Sequence, residues 1–157
     1  MATTNLIHLN DLSPREAAAD ALYRCVAGHD VNDLELFKSA WLDNDEAIFD
    51  MDGQVTKGID ALCDGLFAVI GPLETQHLIT NVRVELKEGA SEAYVMAYGL
   101  ATHFRPGEGM SASTKTWTSG TQYFVDVVED PGSGMWKVKS WRMRSMWRDG
   151  DASMVGQ

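Results

Sequence analysis

Three side chains stand out for the chemistry they could share: Asp30, His77 and His103. Imidazole titrates near neutrality, so one ring can accept a proton while another donates one. A nearby carboxylate can hold a ring in one tautomer and stabilise its cation. The segment Thr75-Gln76-His77 opens a run that reads as a strand, and alternation puts His77, Ile79 and Asn81 on one face and Leu78, Thr80 and Val82 on the other. His103 lies near the end of the next strand-like run, where an antiparallel return brings it back toward His77. Asp30 falls between the first two expected helices, a place where it, Asn32 or Asp33 could also serve as an N-cap.

The elements that must bring these groups together are read from punctuation and period. Ser13-Pro14-Arg15-Glu16 combines a cap, a proline at the first helical position and a capping box. Ala18, Ala21, Leu22, Cys25 and Val26 then form one apolar helical face, with Gly28 as the expected stop. Leu34, Phe37, Trp41 and Leu42 give the face of a second helix, and Ala47 to Met51 reads as a short strand turned by Asp52-Gly53. Gly58 to Ile70 reads as a third helix, closed by Gly71-Pro72. Four long runs follow, Thr75–Leu86, Ala93–Arg105, Thr116–Val128 and Met135–Trp147, rich in β-branched and aromatic residues and separated by Gly- and Pro-containing loops. Helices followed by consecutive long strands predict an α+β fold. One helical layer cannot cover both faces of such a sheet, and a strongly curved antiparallel sheet wrapped around the helices solves this, leaving a cone-shaped pocket between the layers.

Length and composition set the limits. The 157 residues, 45% hydrophobic and 23% charged, predict a single domain over 1–157, with residues 1–12 as an N-terminal arm and 149–157 as a loose tail. A net charge of −10 argues against nucleic acid or a membrane surface as partner. The N-terminus has no basic, apolar leader and no run reaches a membrane-spanning length, so a cytoplasmic setting is expected. Cys25 and Cys63 both fall in helix-like segments and read as free thiols.

Other groups carry less. Trp136 and Trp141 have opposite parity on the last strand, so they share a face with each other only if a bulge intervenes. In the basic run of that strand, Lys137, Lys139 and Arg148 are expected on a solvated face or paired with carboxylates, while Arg142 or Arg144 could turn into the pocket. No phosphate-cradling glycine loop and no Gly-x-Ser-x-Gly elbow is present.

Around His29 to Phe37, Thr75-Gln76-His77, Thr102-His103 and Met135-Trp136-Lys137-Val138, the chain resembles scytalone dehydratase and, more broadly, the SnoaL-like branch of the nuclear-transport-factor-2-like superfamily. The resemblance runs from residue 14 to 147 and implies a cone-shaped α+β fold with the pocket inside, working without metal or organic cofactor. It implies catalytic roles for Asp30, His77 and His103, and a substrate-contacting role for Ser119, with Thr121 where the family has an asparagine. His29 and Met51 stand where the dehydratase has carbonyl-polarising tyrosines, and Met51 has no hydrogen to donate. The implied activity is that of a cofactor-independent lyase or isomerase on a small hydrophobic, oxygenated metabolite, in a homodimer or homotrimer. The alternative is a non-catalytic small-molecule-binding or assembly module of the same fold.

Overall fold

The computed structural model describes residues 7–112 and 114–156. Residues 1–6 of the expected arm lie outside the described residues, and 7–12 contain neither helix nor strand. Helix α1 spans Pro14–Asp30 and starts with the full capping box: Ser13 Oγ accepts from the Glu16 amide and Glu16 Oε2 accepts from the Ser13 amide at 2.8 Å. Gly28 does not stop this helix. It is a point of close approach, since a Cβ there would sit 2.6 Å from the Phe37 amide nitrogen of α2 (Leu34–Ser39). The reversal comes two residues past Asp30, at Asn32, whose φ is 53°. Asp33 then caps α2 by accepting from the Leu36 amide at 3.0 Å, which leaves the Asp30 carboxylate available for other partners.

Strands β1 (Ile48–Met51) and β2 (Gln54–Lys57) form a hairpin through Asp52-Gly53. The stretch expected as one third helix is instead α3 (Ile59–Leu62), a π-helical turn at Cys63–Phe67 and α4 (Ala68–Ile70). Gly65 sits inside the wide turn, where a weak helix former offers little resistance to the change of hydrogen-bond period. Strands β3 (Glu74–Glu85), β4 (Glu92–Phe104), β5 (Trp117–Glu129) and β6 (Trp136–Gly150) form the antiparallel meander.

The six strands make one open sheet in the order β2-β1-β6-β5-β4-β3. It is mixed rather than wholly antiparallel, because β1 enters beside β6 in the same direction, with Phe49 opposite Trp141. The α+β architecture is otherwise as the sequence implies. Phe37 and Trp41 from the α2 region, Leu22 from α1, and Val95, Val125, Val127 and Val138 from the sheet are the fully enclosed centre of the core. Arg24 fastens the layers from within: it pairs with Asp20 at 2.8 Å and donates to the carbonyls of Ser39 and Trp136.

Three register shifts, one in β3 and two in β6, change which residues face inward. Asn81, at φ 53°, creates one in β3, so Val82 and Val84 pack on the core while Asn81 is exposed, the reverse of strict alternation. Shifts between Asp126 and Val127 and between Gly120 and Thr121 mark extra residues in β6 at Lys139 and Met146. The first reconciles Trp136 with Trp141, and both are buried. The expected loose tail is also corrected. Strand β6 runs to Gly150, a 3₁₀ turn covers Ala152–Val155, and Met154 is buried. Asp151 explains it by capping that turn at the Ser153 amide and pairing with Arg105 at 3.0 Å.

Candidate active site

The inward face of β4 reads Ala93, Val95, Ala97, Gly99, Ala101, His103, so the strand lines its concave side with small groups and leaves space above them. Gly99 is required for a second reason, since a Cβ there would collide with the Tyr123 ring from β5. The resulting cavity of about 240 Å³ lies between the sheet, α1 and the Gly65–Ile70 segment. Leu66, Val69, Ile70, Trp117, Trp141 and Met143 give it mostly apolar walls.

His77 and His103 both line this cavity, from adjacent strands, with ring centroids 5.3 Å apart and planes perpendicular. Asp30 stands behind His77. Its Oδ1 meets His77 Nδ1 at 2.6 Å and accepts from the Thr75 hydroxyl at 2.7 Å, while Oδ2 accepts from the His77 amide at 2.9 Å. Three contacts from one strand end therefore fix the carboxylate at the C-terminus of α1. Burial opposes its ionisation, but the hydrogen bonds and charge of His77, with the Thr75 hydroxyl, hold its pKa below the ordinary aspartate value. An ionised carboxylate only accepts, so His77 carries its proton on Nδ1.

The same reasoning fixes His103. Its Nδ1 lies 3.0 Å from the Trp117 carbonyl oxygen, which also only accepts, so Nδ1 donates. Burial lowers the His103 pKa against the opposing pull of that hydrogen bond, so the ring is neutral near pH 7. Among the described residues neither Nε2 has a protein hydrogen-bond partner. Two imidazoles thus enter one cavity with the same tautomer and their Nε2 atoms uncommitted.

The remaining candidates separate. His29 lines the cavity beside His77, at 5.8 Å between ring centroids, and packs on Phe37 and Phe67. Burial and the neighbouring His77 push its pKa down to about 3, so it stays neutral. Met51 and Ser119 also line the cavity. Thr121 reaches it too, but its hydroxyl donates to the Gly99 carbonyl at 3.3 Å. Cys25 borders the cavity as an inert thiol, its pKa pushed up to about 12 by burial. Among the described residues no group of three His, Cys, Asp or Glu side chains could hold a metal ion.

Sequence reasoning missed Arg148, which lines the cavity while Arg142 and Arg144 do not. Arg142 lies outside, 4.8 Å from the centroid of the Phe124 ring. Arg148 also pairs with Asp52 at 2.5 Å, the carboxylate partnership expected of it. The small-residue alternation of β4 was a readable sign of the cavity, but the bulge that turns Arg148 has no comparable signature.

Residues 10–142 match the SnoaL-like domain family. A relative in Penicillium crustosum, terrestric acid biosynthesis cluster protein E, is 40% identical over 146 residues, covering 93% of this chain and 92% of that one. A scytalone dehydratase-like structure from Novosphingobium aromaticivorans superposes with a TM-score of 0.70 at 21% identity, over 86% of this chain and 85% of that chain. A hexachlorocyclohexane dehydrochlorinase, LinA type 3, from Novosphingobium barchaimii gives a TM-score of 0.66 at 20% identity over 88% and 90%. At such identities the structural likeness establishes the fold. The family match and the Penicillium relative place the chain in the SnoaL-like family.

Proposed function

We infer that the protein is a cofactor-independent lyase or isomerase of secondary metabolism, acting on a small hydrophobic, oxygenated substrate by dehydration, isomerisation or cyclisation. The observation that carries this reading is the pair of His Nε2 atoms, both without a protein partner, beside one cavity, with His77 backed by the Asp30 carboxylate. The relative from a biosynthetic cluster supports the metabolic setting.

For a β-hydroxy carbonyl substrate, His77 Nε2 takes the proton from the carbon beside the carbonyl, and Asp30 stabilises the imidazolium that forms. The electron pair of that C–H bond becomes the new C=C bond as the C–O bond breaks. The imidazolium returns its proton to the departing hydroxyl, which leaves as water. His103, held neutral, accepts a hydrogen bond from the same hydroxyl and keeps it on the His77 side. Asp30 and Thr75 act through His77 and are positioning residues. His29, Met51, Ser119 and Thr121 shape and contact the substrate.

We place the protein in the cytoplasm as a single domain, assembled as a homodimer or homotrimer through the outer sheet face, where Leu78, Met96, Tyr98, Leu100 and Trp147 are exposed. Among the described residues no helix is long and apolar enough to cross a membrane. The activity is tested with a panel of one- and two-ring β-hydroxy ketones in deuterated water. Deuterium uptake at the carbon beside the carbonyl, or loss of water, should occur with the wild type and vanish with His77→Ala and His103→Ala. Equal rates in all three proteins would overturn the assignment.

A further inference from the structure

The reaction proposed above builds negative charge on the substrate's carbonyl oxygen, and such charge needs a hydrogen-bond donor fixed in advance. The bare Nε2 atoms of His77 and His103 only accept while the rings are neutral, and Met51 has no hydrogen to give. Tyr123 is the one tyrosine that lines the cavity among the described residues. A phenol is more acidic than an alkyl hydroxyl, so its O–H is a stronger donor than that of Ser119 or Thr121.

Tyr123 pairs with Ala97 across β4 and β5, yet its ring leans along the sheet so that the hydroxyl rests on Gly99, where any Cβ would collide with it. Trp141 holds the ring in that lean through an edge contact, 4.9 Å between centroids, and Tyr123 is only 5% exposed. Gly99 is therefore a seat for the hydroxyl as well as part of the cavity wall. The next inward position of β4 is Ala101, which pairs with His77 on β3. Two residues along a strand span about 7 Å, so the phenol oxygen sits one inward position away from the His77 row. A base that draws a proton from one carbon and a donor to the carbonyl oxygen of the next stand one C–C=O unit apart, a span of this order.

Among the described residues no carbonyl or carboxylate accepts from the Tyr123 O–H, and its hydrogen-bonding neighbour is the Thr121 hydroxyl. Thr121 stands two residues back on the same strand, and its own bond to the Gly99 carbonyl is long, at 3.3 Å. That hydroxyl can turn to donate to the phenol oxygen, which leaves the phenol proton for a ligand and strengthens it as a donor. Burial raises the Tyr123 pKa above the ordinary tyrosine value, against the Thr121 bond, so the hydroxyl is protonated at neutral pH.

We propose that Tyr123 is a further catalytic residue, whose hydroxyl donates a hydrogen bond to the substrate's carbonyl oxygen while His77 takes the proton from the adjacent carbon. The phenol keeps its own proton throughout. Its hydrogen bond tightens as the oxygen gains charge and relaxes as the C=C bond forms and water leaves. The role rests on the acid–base reading given above, but the contact itself is a binding property and can be measured without turnover.

The ketone 2-acetylnaphthalene, labelled with carbon-13 at its carbonyl, has no hydroxyl to lose, so its stretching band can be read by infrared spectroscopy while bound to the full chain. The band should lie lower in the wild type than in hexane, and should return toward the hexane position in Tyr123→Phe. Protein grown with 3-fluorotyrosine keeps the hydroxyl and makes it more acidic, so there the band should fall further. That labelled protein needs no substitution, so misfolding of Tyr123→Phe would not remove the test. His77→Ala should keep the lowered band, which separates failure of the catalytic reading from failure of this contact. With the hydroxy ketones, Tyr123→Phe should lower turnover about 10²-fold while KM changes by less than about threefold. A band at one frequency in wild type and Tyr123→Phe, a band unmoved by fluorination, no binding of the ketone, or unimpaired turnover in Tyr123→Phe would each overturn the proposal.

Discussion

The two faces of β4 use opposite rules. Inward, the strand presents Ala97, Gly99 and Ala101, and outward, at alternate positions, Met96, Tyr98 and Leu100, each about 40% exposed. In a half-buried antiparallel strand large apolar groups ordinarily point in and small or polar ones out. The inversion gives the two faces different tasks in the proposed function. The inner face gives up packing to leave a cavity above the histidines, while the outer face carries apolar surface that a partner copy would cover.

That contrast can be broken at several points. The largest effect belongs to the proposed catalytic groups on the inner face: His77→Ala or His103→Ala should cost about 10³-fold in turnover, with an unchanged circular dichroism spectrum. Ala101→Leu fills the space beside His77 and should abolish turnover of the hydroxy ketone panel while lowering thermal stability little, because the added methyls enter the cavity. Gly99→Ala attacks the same face where no space exists. Its collision with Tyr123 should destabilise the fold by about 1–3 kcal/mol, read from the urea midpoint.

Acid stability gives a smaller effect. His29 is neutral when folded, with a pKa lowered to about 3, whereas in the unfolded chain it protonates near its ordinary value of 6.5. Its contribution is therefore complete above the unfolded value and is lost progressively as the pH falls toward 3. Asp30, also lowered, adds a loss in the most acidic part of that range. His29→Leu should flatten the wild-type decline in urea midpoint between pH 6.5 and 4, with the Asp30 part remaining. On the outer face, Leu100→Lys should change monomer stability by less than about 0.5 kcal/mol while shifting the assembly toward monomer in sedimentation.

How much of this the sequence reveals depends on whether a feature has a local signature. The start of α1 is legible because Ser13, Pro14 and Glu16 each state the same boundary, and the four long strands are legible from composition. The meeting of Asp30 with His77 was approachable because His77 opens its strand and Asp30 ends α1. Bulges are different. Asn81, Lys139 and Met146 are ordinary residues, yet each inserts one position and reverses the facing of everything after it. That is why Asn81 turned out exposed, why Trp136 and Trp141 share the core, and why Arg148 rather than Arg142 or Arg144 faces the cavity. The tail was misread for a similar reason. Asp151 carries its order through a contact with Arg105 that no local pattern announces.

The proposed chemistry depends on the state of two imidazoles, and nitrogen-15 NMR of histidine-labelled protein reads that state without any substrate. At pH 7 it should find the proton on Nδ1 of both His77 and His103, a bare Nε2 on neutral His103, and a titration of His103 below the ordinary histidine value. A proton on Nε2 of either neutral ring, or a doubly protonated His103 at that pH, would contradict it.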